Sequence, residues 1–411
     1  MSAALDLLLR ECRLPDGRTA DVGCQAGRIV EIGRLAGRAA GREIAAEGRT
    51  LTPGLVDAHI HLDKAFLGDR APSREGSLAE ALRVTAEAKR GFTRDDIRAR
   101  ARRVLDLAVR QGTTAMRSHS EVDPIVGLAG FEALADLKRE YAPAIDLQLC
   151  AFAQEGILRS PGTEALLREA LRAGADLVGG VPYVDPDARR HVDVVLDLAV
   201  EFGVDADFHA DFFDEPQHLH ARYIAEQTVR RGMQGRVALG HVSEMAALPP
   251  DEQEQLVRLL RDAGVAVIVL PATDLYLMGR KDVRSPRRGL APARRLLAGG
   301  VTVAVATNNV HNAFTPVGTA GLPLMGFLMT VGAHMGTDAE IRQVLDMLTV
   351  HPARILRLPD YGLTVGGRAD LVLWETDRAE RVVSGLAACR LVIKAGRVTV
   401  EHTHTLTEPW R

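Results

Sequence analysis

Short apolar runs that end in polar side chains recur through the middle of the chain and alternate with segments of helical periodicity. The amphipathic segments include LAEALRVTAEAKRGF and GTEALLREALRAGA, and several of them end in Gly, as helix C-termini commonly do. Eight such strand and helix pairs predict an α/β fold, a closed (β/α)8 TIM barrel over residues 53–359. The eight apolar runs are GLVDAHIHLD, TTAMRSHSEV, IDLQLCAFAQEG, ADLVGGVPYVD, VDADFHADFFDE, RVALGHVSEM, VAVIVLPATD and VTVAVATNN.

Both ends of the chain show a different pattern, in which short strand-like stretches are separated by Gly-containing turns. ALDLLLRECRL and TADVGCQAGRIVEIG lie near the start, and GRADLVLWE and CRLVIKAGRVTV lie near the end. We therefore expect residues 1–52 and 360–411 to combine into one small β-sandwich domain beside the barrel.

Composition and charge fit a globular protein and exclude several classes of partner. The chain has 411 residues, of which 46% are apolar and 26% charged, and its net charge is −3. Lys and Arg are spread along the chain, so neither a nucleic-acid surface nor a membrane-binding helix is indicated. The start has only a short apolar run, and no stretch approaches membrane-spanning length, so the expected location is the cytoplasm. The four cysteines form no CxxC pair, which argues against a disulfide framework and a thiolate metal site.

Polar side chains follow each predicted barrel strand. Active sites of such barrels lie at the C-terminal strand ends, so these side chains are the candidates for chemistry. Polar loops also begin at strand ends, but histidine at five of the eight ends favours a functional site. The residues concerned are His59, His61, His119, Glu121, Gln154, Glu155, Asp185, His209, Asp211, His241, Asp274, Asn308 and His311.

The sharpest motif is HIH at positions 59 to 61. Residues i and i+2 of a strand point to the same side, so His59 and His61 both face the barrel axis. Paired neutral imidazoles bind divalent ions such as Zn²⁺ or Fe²⁺, and His209 is the expected third ligand. A lone histidine is more often a hydrogen-bonded core residue, but the HIH pair reverses that expectation. His241 either binds the ion or polarises the reacting bond, and the sequence leaves both roles open.

Several other polar residues have two interpretations each. His119 and Glu121 share a face of the second strand, where they orient the ligands or simply form a polar layer. Asp274 binds substrate or pairs with Arg280. Lys64 follows HIHLD directly and reaches an anionic group of the substrate, or else is a solvated lysine. The long loop Phe66–Ser77 is a candidate lid over the barrel mouth.

With these motifs in place, the chain resembles the cytosine deaminase group of the amidohydrolase superfamily. The resemblance rests on TPGLVDAHIHLDK, AFAQEGI, HADFFDE, GHVSEM and MGRKDVRSPRRGLAP, which occur in the family's order along nearly the whole chain. It implies a distorted barrel holding one Fe²⁺ or Zn²⁺ that activates water to hydrolyse a C–N bond of an aminopyrimidine or a related ring. By position, His59, His61 and His209 match the family's metal ligands. His241 matches the histidine that assists the attacking water, and Gln154 matches the amide that holds the substrate ring.

Two positions depart from the family pattern. Phe212 stands where the deaminases have a Glu that carries a proton to the ring, and Asn308 stands where they have an Asp that takes the proton from water. A phenyl ring transfers no proton, and an amide is no useful base near neutral pH, so ordinary cytosine deamination is not expected. Asn308 still offers a carbonyl oxygen, and Phe212 is expected to contact an apolar part of the substrate. The residues to which the acid–base function is expected to move are Asp211, Asp214, Glu121 and His311.

Two hypotheses follow for function. The first is a metal-dependent amidohydrolase that cleaves a C–N bond of a small nitrogen heterocycle, by deamination or by amide or amidine hydrolysis. Its catalytic candidates are His241, Asn308, Asp211 and His311, and its substrate-binding candidates are Gln154, Phe212, Asp274 and Lys64. The alternative is a non-hydrolytic descendant of the fold, either a ligand-binding protein or an enzyme of elimination or ring rearrangement. Related barrels assemble into dimers or larger rings, so a homo-oligomer is expected.

Overall fold

A computed structural model describes residues 4–217 and 219–403. Residues 1–3 and 404–411 of the predicted chain-end domain lie outside the described residues. The strands are β1 Leu5–Arg13, β2 Thr19–Gln25, β3 Arg28–Gly33, β4 Ala40–Ala45, β5 Leu51–Pro53, β6 Leu55–Ile60, β7 Thr113–Glu121, β8 Asp146–Ala153, β9 Leu177–Gly180, β10 Asp205–Ala210, β11 Val237–His241, β12 Ala266–Val269, β13 Val303–Val305, β14 Leu371–Trp374, β15 Cys389–Lys394 and β16 Arg397–Glu401. The helices are α1 Leu78–Lys89, α2 Arg94–Arg110, α3 Ala129–Tyr141, α4 Thr163–Arg172, α5 Ala188–Phe202, α6 His220–Arg230, α7 Pro250–Asp262, α8 Pro271–Leu277, α9 Ala293–Ala298, α10 Leu322–Gly332, α11 Asp338–Asp346, α12 Val350–Ile355 and α13 Glu380–Ser384.

Strands β6 to β13 pair in sequence order into one parallel eight-stranded sheet. Its two edges meet at a bridge between Ile60 and Asn308. There the Asn308 N–H donates to the His59 carbonyl at 2.8 Å, and the His61 N–H donates to the Asn308 carbonyl at 2.8 Å. The predicted α/β barrel is therefore confirmed, and the bond that closes it runs directly through the candidate site.

The barrel is stabilised by apolar burial on both sides of its strands. Every residue of β6, β10 and β11 is buried, as expected for a parallel sheet covered by helices. The helices present apolar stripes to it; in α4, for example, Leu167, Ala170 and Leu171 are buried at positions i, i+3 and i+4. The core therefore fixes the positions of the strand ends and of the polar residues that follow them.

The chain ends form two further four-stranded sheets. One has the order β3-β2-β1-β4, in which β1 and β4 are parallel, and the other has the order β16-β15-β14-β5. The two sheets share one buried apolar cluster, to which Leu9 and Cys24 contribute from the first sheet and Leu371 and Ile393 from the second. This arrangement confirms a small β-structure built from both chain ends. The exact domain boundaries stay predictions.

An apolar cluster lies at the C-terminal end of the barrel strands, and we call it the apolar cap. It joins Ala81 of α1 to side chains that follow β10, β12 and β13. The segment before α1, where the candidate lid was expected, is organised by Glu80, which accepts hydrogen bonds from the N–H groups of residues 74, 75 and 76. The buried members of the apolar cap are Ala81, Phe212, Leu277, Met278, Ala313 and Phe314.

One predicted strand boundary is wrong. The run VAVIVLPATD was expected to be strand throughout, with Asp274 at its end, but β12 ends at Val269 and Asp274 lies in helix α8. The helix starts at Pro271, because proline at the first helical position has no N–H to leave unpaired and a backbone angle already suited to a helix.

None of the described helices combines the length and apolar character needed to cross a membrane.

Candidate functional site

Three histidines converge at the C-terminal ends of β6 and β10. The Nε2 atom of His209 lies 3.0 Å from Nε2 of His59 and 3.0 Å from Nε2 of His61. Their rings are at most 5% exposed. The alternation of side chains along β6 places His59 and His61 on one side, as the HIH spacing predicted. The structure thus brings the three predicted ligands together at a single point.

The donor chemistry of these rings fits a divalent cation. Burial lowers the pKa of His59, His61 and His209 well below the usual histidine value, neighbouring histidines add to the effect on all three, and Lys64 adds to it on His59 and His61. Neutral imidazoles are the form that binds metal. Only one hydrogen atom fits between any two of the converging Nε2 atoms. The Nδ1 atoms of the same three rings are buried without a hydrogen-bond partner among the described residues. A cation bound to the three Nε2 lone pairs would account for this crowding.

A charged layer that sequence analysis missed lies against His59. Asp207 is fully buried, and one of its oxygens accepts from Arg117 at 3.1 Å. Its other oxygen lies 3.2 Å from Nε2 of His119 and 3.8 Å from Nδ1 of His59. Asp207 is two positions before His209, so the alternation of β10 was a signal for its inward position. His119 lies in this layer, in line with the proposed role of orienting a ligand.

His241 and Asp274 form a buried pair at the same end of the barrel. Nδ1 of His241 lies 2.6 Å from one carboxylate oxygen of Asp274, and the other oxygen accepts from the Leu270 N–H at 3.1 Å. The His241 ring centroid is 5.2 Å from that of His209. Burial raises the pKa of Asp274, and the contact with His241 partly offsets this rise. With Nδ1 bound to a carboxylate, Nε2 is the nitrogen left to accept a proton.

The two neutral residues at the departing positions both lie in the site. The Phe212 ring stacks on His241, with centroids 3.7 Å apart and planes 24° apart, and belongs to the apolar cap. Asn308 is 1% exposed, and its side-chain oxygen is buried without a hydrogen-bond partner among the described residues. Asn308 and His241 both have positive φ, at 62° and 73°, a conformation that costs a non-glycine residue about 1–2 kcal/mol. Such strain is common where a fold fixes functional side chains.

Lys64 is buried rather than solvated. Its Nζ donates to Glu121 at 2.9 Å and to Gln154 at 3.0 Å, and it lies 4.6 Å from the centre of the Phe314 ring. Burial opposes the ionisation of Glu121, but Lys64 and Lys89 outweigh it and lower the pKa of this carboxyl to about 2. Lys89 also binds Asp123 and Glu155, at 2.8 and 2.9 Å, and so ties the end of α1 to the ends of β7 and β8.

Three residues named as substitutes for the missing base each contact another part of the protein. Asp211 accepts hydrogen bonds from the N–H groups at the start of α6, at 2.7 and 3.0 Å, and Asp214 accepts from the Gly279 N–H at 2.6 Å. His311 is exposed, and its ring stacks on Phe66 with centroids 5.3 Å apart. Asp274 makes no ion pair with Arg280, which donates to the Tyr276 carbonyl, because His241 takes that place. The sequence could not reveal these partners, since each depends on a turn after a strand.

Known proteins resemble this chain over nearly its full length. Residues 42–400 match the model of the amidohydrolase family. The chain is 28% identical to N-isopropylammelide isopropyl amidohydrolase from Pseudomonas sp., over 98% of both chains. It is 30% identical to pterin deaminase from Rhizobium rhizogenes, over 84% of this chain and 79% of that protein. A crystal structure of 5-methylcytosine deaminase from Klebsiella pneumoniae liganded with 5-fluorocytosine has a TM-score of 0.93 at 30% identity, covering 98% of this chain and 100% of that one.

Proposed function

The chain belongs to the amidohydrolase family, and we propose that it hydrolyses a C–N bond of a small nitrogen heterocycle, by deamination or by amide or amidine hydrolysis. The hydrolase class predicted from the motifs agrees with the family. The proposal rests on one observation, the convergence of three buried imidazoles beside the His241–Asp274 pair. The names of the relatives support the substrate class, because isopropylammelide, pterin and 5-methylcytosine are all small nitrogen-containing rings.

We assign the metal site to His59, His61 and His209, with one Zn²⁺ or Fe²⁺ as the expected ion. Three neutral imidazoles with an open position are a ligand set for such ions, and an ion so bound lowers the pKa of water and polarises a carbonyl or amidine. The barrel core fixes both strands that carry the three rings, so their backbone positions are set before an ion binds. Asp207, with one oxygen 3.8 Å from Nδ1 of His59, and His119, with its ring centroid 4.0 Å from that of His59, pack against the His59 ring and so restrict its orientation.

His241 is the proposed general base and acid. Asp274 holds its Nδ1–H, so Nε2 is free to take a proton from the attacking water and to return it to the departing nitrogen. The carboxylate also stabilises the imidazolium that forms between these two steps. Both side chains are at most 3% exposed, so bulk water does not compete for this proton. His241 therefore performs the proton transfer that an acidic residue at position 308 would otherwise perform.

Asn308 and Phe212 have positioning roles in this proposal. The unpaired Asn308 oxygen accepts a hydrogen bond from the attacking water, and the bridge to β6 fixes its direction. Phe212 holds the His241 ring by stacking and gives the substrate pocket an apolar wall. Gln154 and Lys64 remain the proposed substrate-binding residues. The homo-oligomer and the cytoplasmic location stay predictions.

The test combines metal analysis with a search for activity. Protein loaded with Zn²⁺ or Fe²⁺ would be assayed for release of ammonia or amine from a panel of pyrimidines, pterins and triazines. We expect about one ion per chain, with metal and activity both lost in His209→Ala and both retained in His334→Ala, an exposed histidine. Metal-free protein after loading, or a His209→Ala variant that binds metal like the parent, would contradict the proposal.

The neutral side chains at positions 212 and 308 favour a second candidate, a non-hydrolytic descendant of the fold. The double substitution F212E and N308D separates the two. Amine release by the parent protein supports the hydrolase, whereas release by the double variant alone would show that the parent barrel serves binding or different chemistry.

A further inference from the structure

The stretch RRGLAPARR, residues 287–295, has no role in the proposed reaction. It carries two pairs of arginines separated by five uncharged residues. In the structure all four arginines line one cavity of about 580 Å³, which lies between α7, α9 and the end of α10. Gly289, between the two pairs, has a φ of 69°, and a Cβ atom there would overlap the Met278 side chain. The chain can therefore turn at this point only with a glycine, and the turn brings both arginine pairs to the same cavity.

Two of these arginines already bind carboxylates. Arg287 donates to the two oxygens of Asp282 at 2.8 and 2.9 Å and to Glu215 at 2.7 Å. Arg294 forms an ion pair with Glu340 at 2.7 Å. Because these carboxylates neutralise both guanidinium groups, Arg287 and Arg294 contribute to the wall of the cavity and leave little positive charge for a ligand.

The other two arginines, Arg288 and Arg295, have no carboxylate partner in the described parts of the chain. Both are exposed, and Arg295 donates to the Pro250 carbonyl at 3.4 Å. Each guanidinium group has five N–H donors and remains charged at every physiological pH. Asp214 also lines the cavity, but its carboxylate accepts from the Gly279 N–H at 2.6 Å. The cavity therefore offers two guanidinium groups to an incoming anion.

Much of the remaining lining is apolar. Phe213, Ala246, Leu290 and Ala291 all contribute to it. Cavities of roughly 300–1,000 Å³ that combine an apolar lining with a few charged or polar groups are the usual form of small-molecule sites. Guanidinium groups bind phosphate through two parallel hydrogen bonds. The lining therefore fits a small molecule that has both an apolar body and an anionic group.

The cavity is separate from the histidine cluster. None of the three proposed metal ligands lines it, and Ser243 is the lining residue nearest in sequence to His241. The Ser243 hydroxyl donates to the Asp211 carbonyl at 3.3 Å and to the Phe213 carbonyl at 3.1 Å. These hydrogen bonds join the turn after β11 to the turn after β10, so the two turns lie between the cavity and the cluster. A ligand in the cavity should therefore bind independently of an ion at the histidines.

We propose that this cavity is a second binding site, which takes a small molecule that joins an apolar body to a phosphate monoester. Arg288 and Arg295 bind the phosphate. Two guanidinium groups match its charge of about −2 near pH 7, whereas a carboxylate supplies a single charge. The inference does not rest on the proposed reaction, because it requires neither hydrolysis nor a substrate at the histidines.

The experiment measures binding of phenyl phosphate to the metal-loaded protein by calorimetry in about 0.15 M salt, which screens weak surface attraction. We expect the double variant R288Q and R295Q to bind it at least about 10-fold more weakly than the parent, because charge-assisted hydrogen bonds to the phosphate are lost. Two comparison compounds define the ligand class. Benzoate carries one charge and inorganic phosphate has no apolar body, so each should bind the parent at least about 10-fold more weakly than phenyl phosphate.

Two controls separate this site from general attraction and from the proposed ion. The double variant R98Q and R102Q also removes two exposed positive charges, and both of these arginines pair with Glu140 on the outer helices. His209→Ala removes a proposed metal ligand. Both controls should bind phenyl phosphate like the parent.

Absence of binding by the parent, or equal affinity for either comparison compound, would overturn the inference. Unchanged affinity in the R288Q and R295Q variant, or an equal loss in either control, would overturn it as well. If that variant does not fold, Arg288→Gln decides alone, since the Arg288 side chain has no hydrogen-bond partner in the described parts of the chain. Unchanged affinity in Arg288→Gln would then overturn the inference, and a weakened affinity would support it.

Discussion

The His241–Asp274 pair gives the sharpest prediction about catalysis. Both carboxylate oxygens of Asp274 accept hydrogen bonds, from Nδ1 of His241 at 2.6 Å and from the Leu270 N–H at 3.1 Å. Asp274→Asn keeps the shape but replaces one acceptor by an NH₂ group. The amide must then face one of these donors with its nitrogen, so the variant loses either the Leu270 hydrogen bond or the His241 tautomer that leaves Nε2 unprotonated.

The size of the effect follows from the charge that develops on His241. Opposite unit charges about 4 Å apart attract by about 4 kcal/mol at an effective dielectric constant of about 20. An amide acceptor retains only a hydrogen bond of about 1 kcal/mol. The imidazolium therefore loses about 3 kcal/mol of stabilisation, which at about 1.4 kcal/mol per factor of ten corresponds to a fall in kcat of roughly 100-fold.

The matched control is Asp185→Asn. Asp185 accepts from Nδ1 of His191 at 2.7 Å and from three backbone N–H groups, so it forms a second buried Asp–His pair away from the histidine cluster. We expect both variants to bind metal like the parent and to unfold at lower temperature, and only Asp274→Asn to lose turnover. Steady-state kinetics at matched metal content measure this. Equal kcat values for the two variants would refute the role given to His241.

Three further predictions concern the metal ligands and the segment before α1. A Cβ atom at Gly240 would lie 2.8 Å from Cε1 of His59, so Gly240→Ala should displace that ring and weaken Zn²⁺ affinity at least about 10-fold, measured by competition with a chelator. Gly336→Ala is the control and should leave Zn²⁺ affinity unchanged, because no atom lies within 4 Å of a Cβ atom there. His61→Ala should abolish stoichiometric metal, measured by elemental analysis, because two imidazoles remain; full occupancy would contradict the ligand set. Burial opposes the ionisation of Glu80, but the N–H groups of residues 74 to 76 outweigh it and lower its pKa to about 2. A carboxyl group with a lowered pKa stabilises the fold above its unfolded value of about 4.5, and this stabilisation is lost towards pH 2. The protection factors of the amides of residues 73–77, which are exchange rates corrected for the intrinsic rate at each pH, should therefore stay constant from pH 8 to 5 and fall below pH 4, and Glu80→Gln should lower them at every pH.

The fold and the convergence of the histidines were accessible from sequence because each depends on a periodic pattern. Eight apolar runs alternating with amphipathic helices determine the barrel, and the period of two along a strand places His59 beside His61. The contact of Asp274 with His241 was not accessible, because LPATD continues an apolar run and only Pro271 marks the start of a helix there. The contacts of Lys64 were not predictable from the sequence either, because its partners Glu121 and Gln154 lie 57 and 90 positions away along the chain.

Burial explains why neutral side chains are compatible with positions 308 and 212. Three of the buried carboxylates near the histidines have a side-chain donor, since Asp207 has Arg117, Glu121 has Lys64 and Asp274 has His241. The Asn308 oxygen has no such donor among the described residues, so a carboxylate there would be buried uncompensated until a cation arrived.

The Phe212 position lies within the apolar cap, where a charged group would likewise lack a partner. A neutral amide and a phenyl ring therefore keep the metal-free pocket stable, and the carboxylate in contact with the proposed base is Asp274, behind His241. This distribution of charge supports proton transfer through the His241 imidazole rather than through a carboxylate bound to the ion. For the same reason, N308D alone should make folding more dependent on the metal ion before it raises turnover.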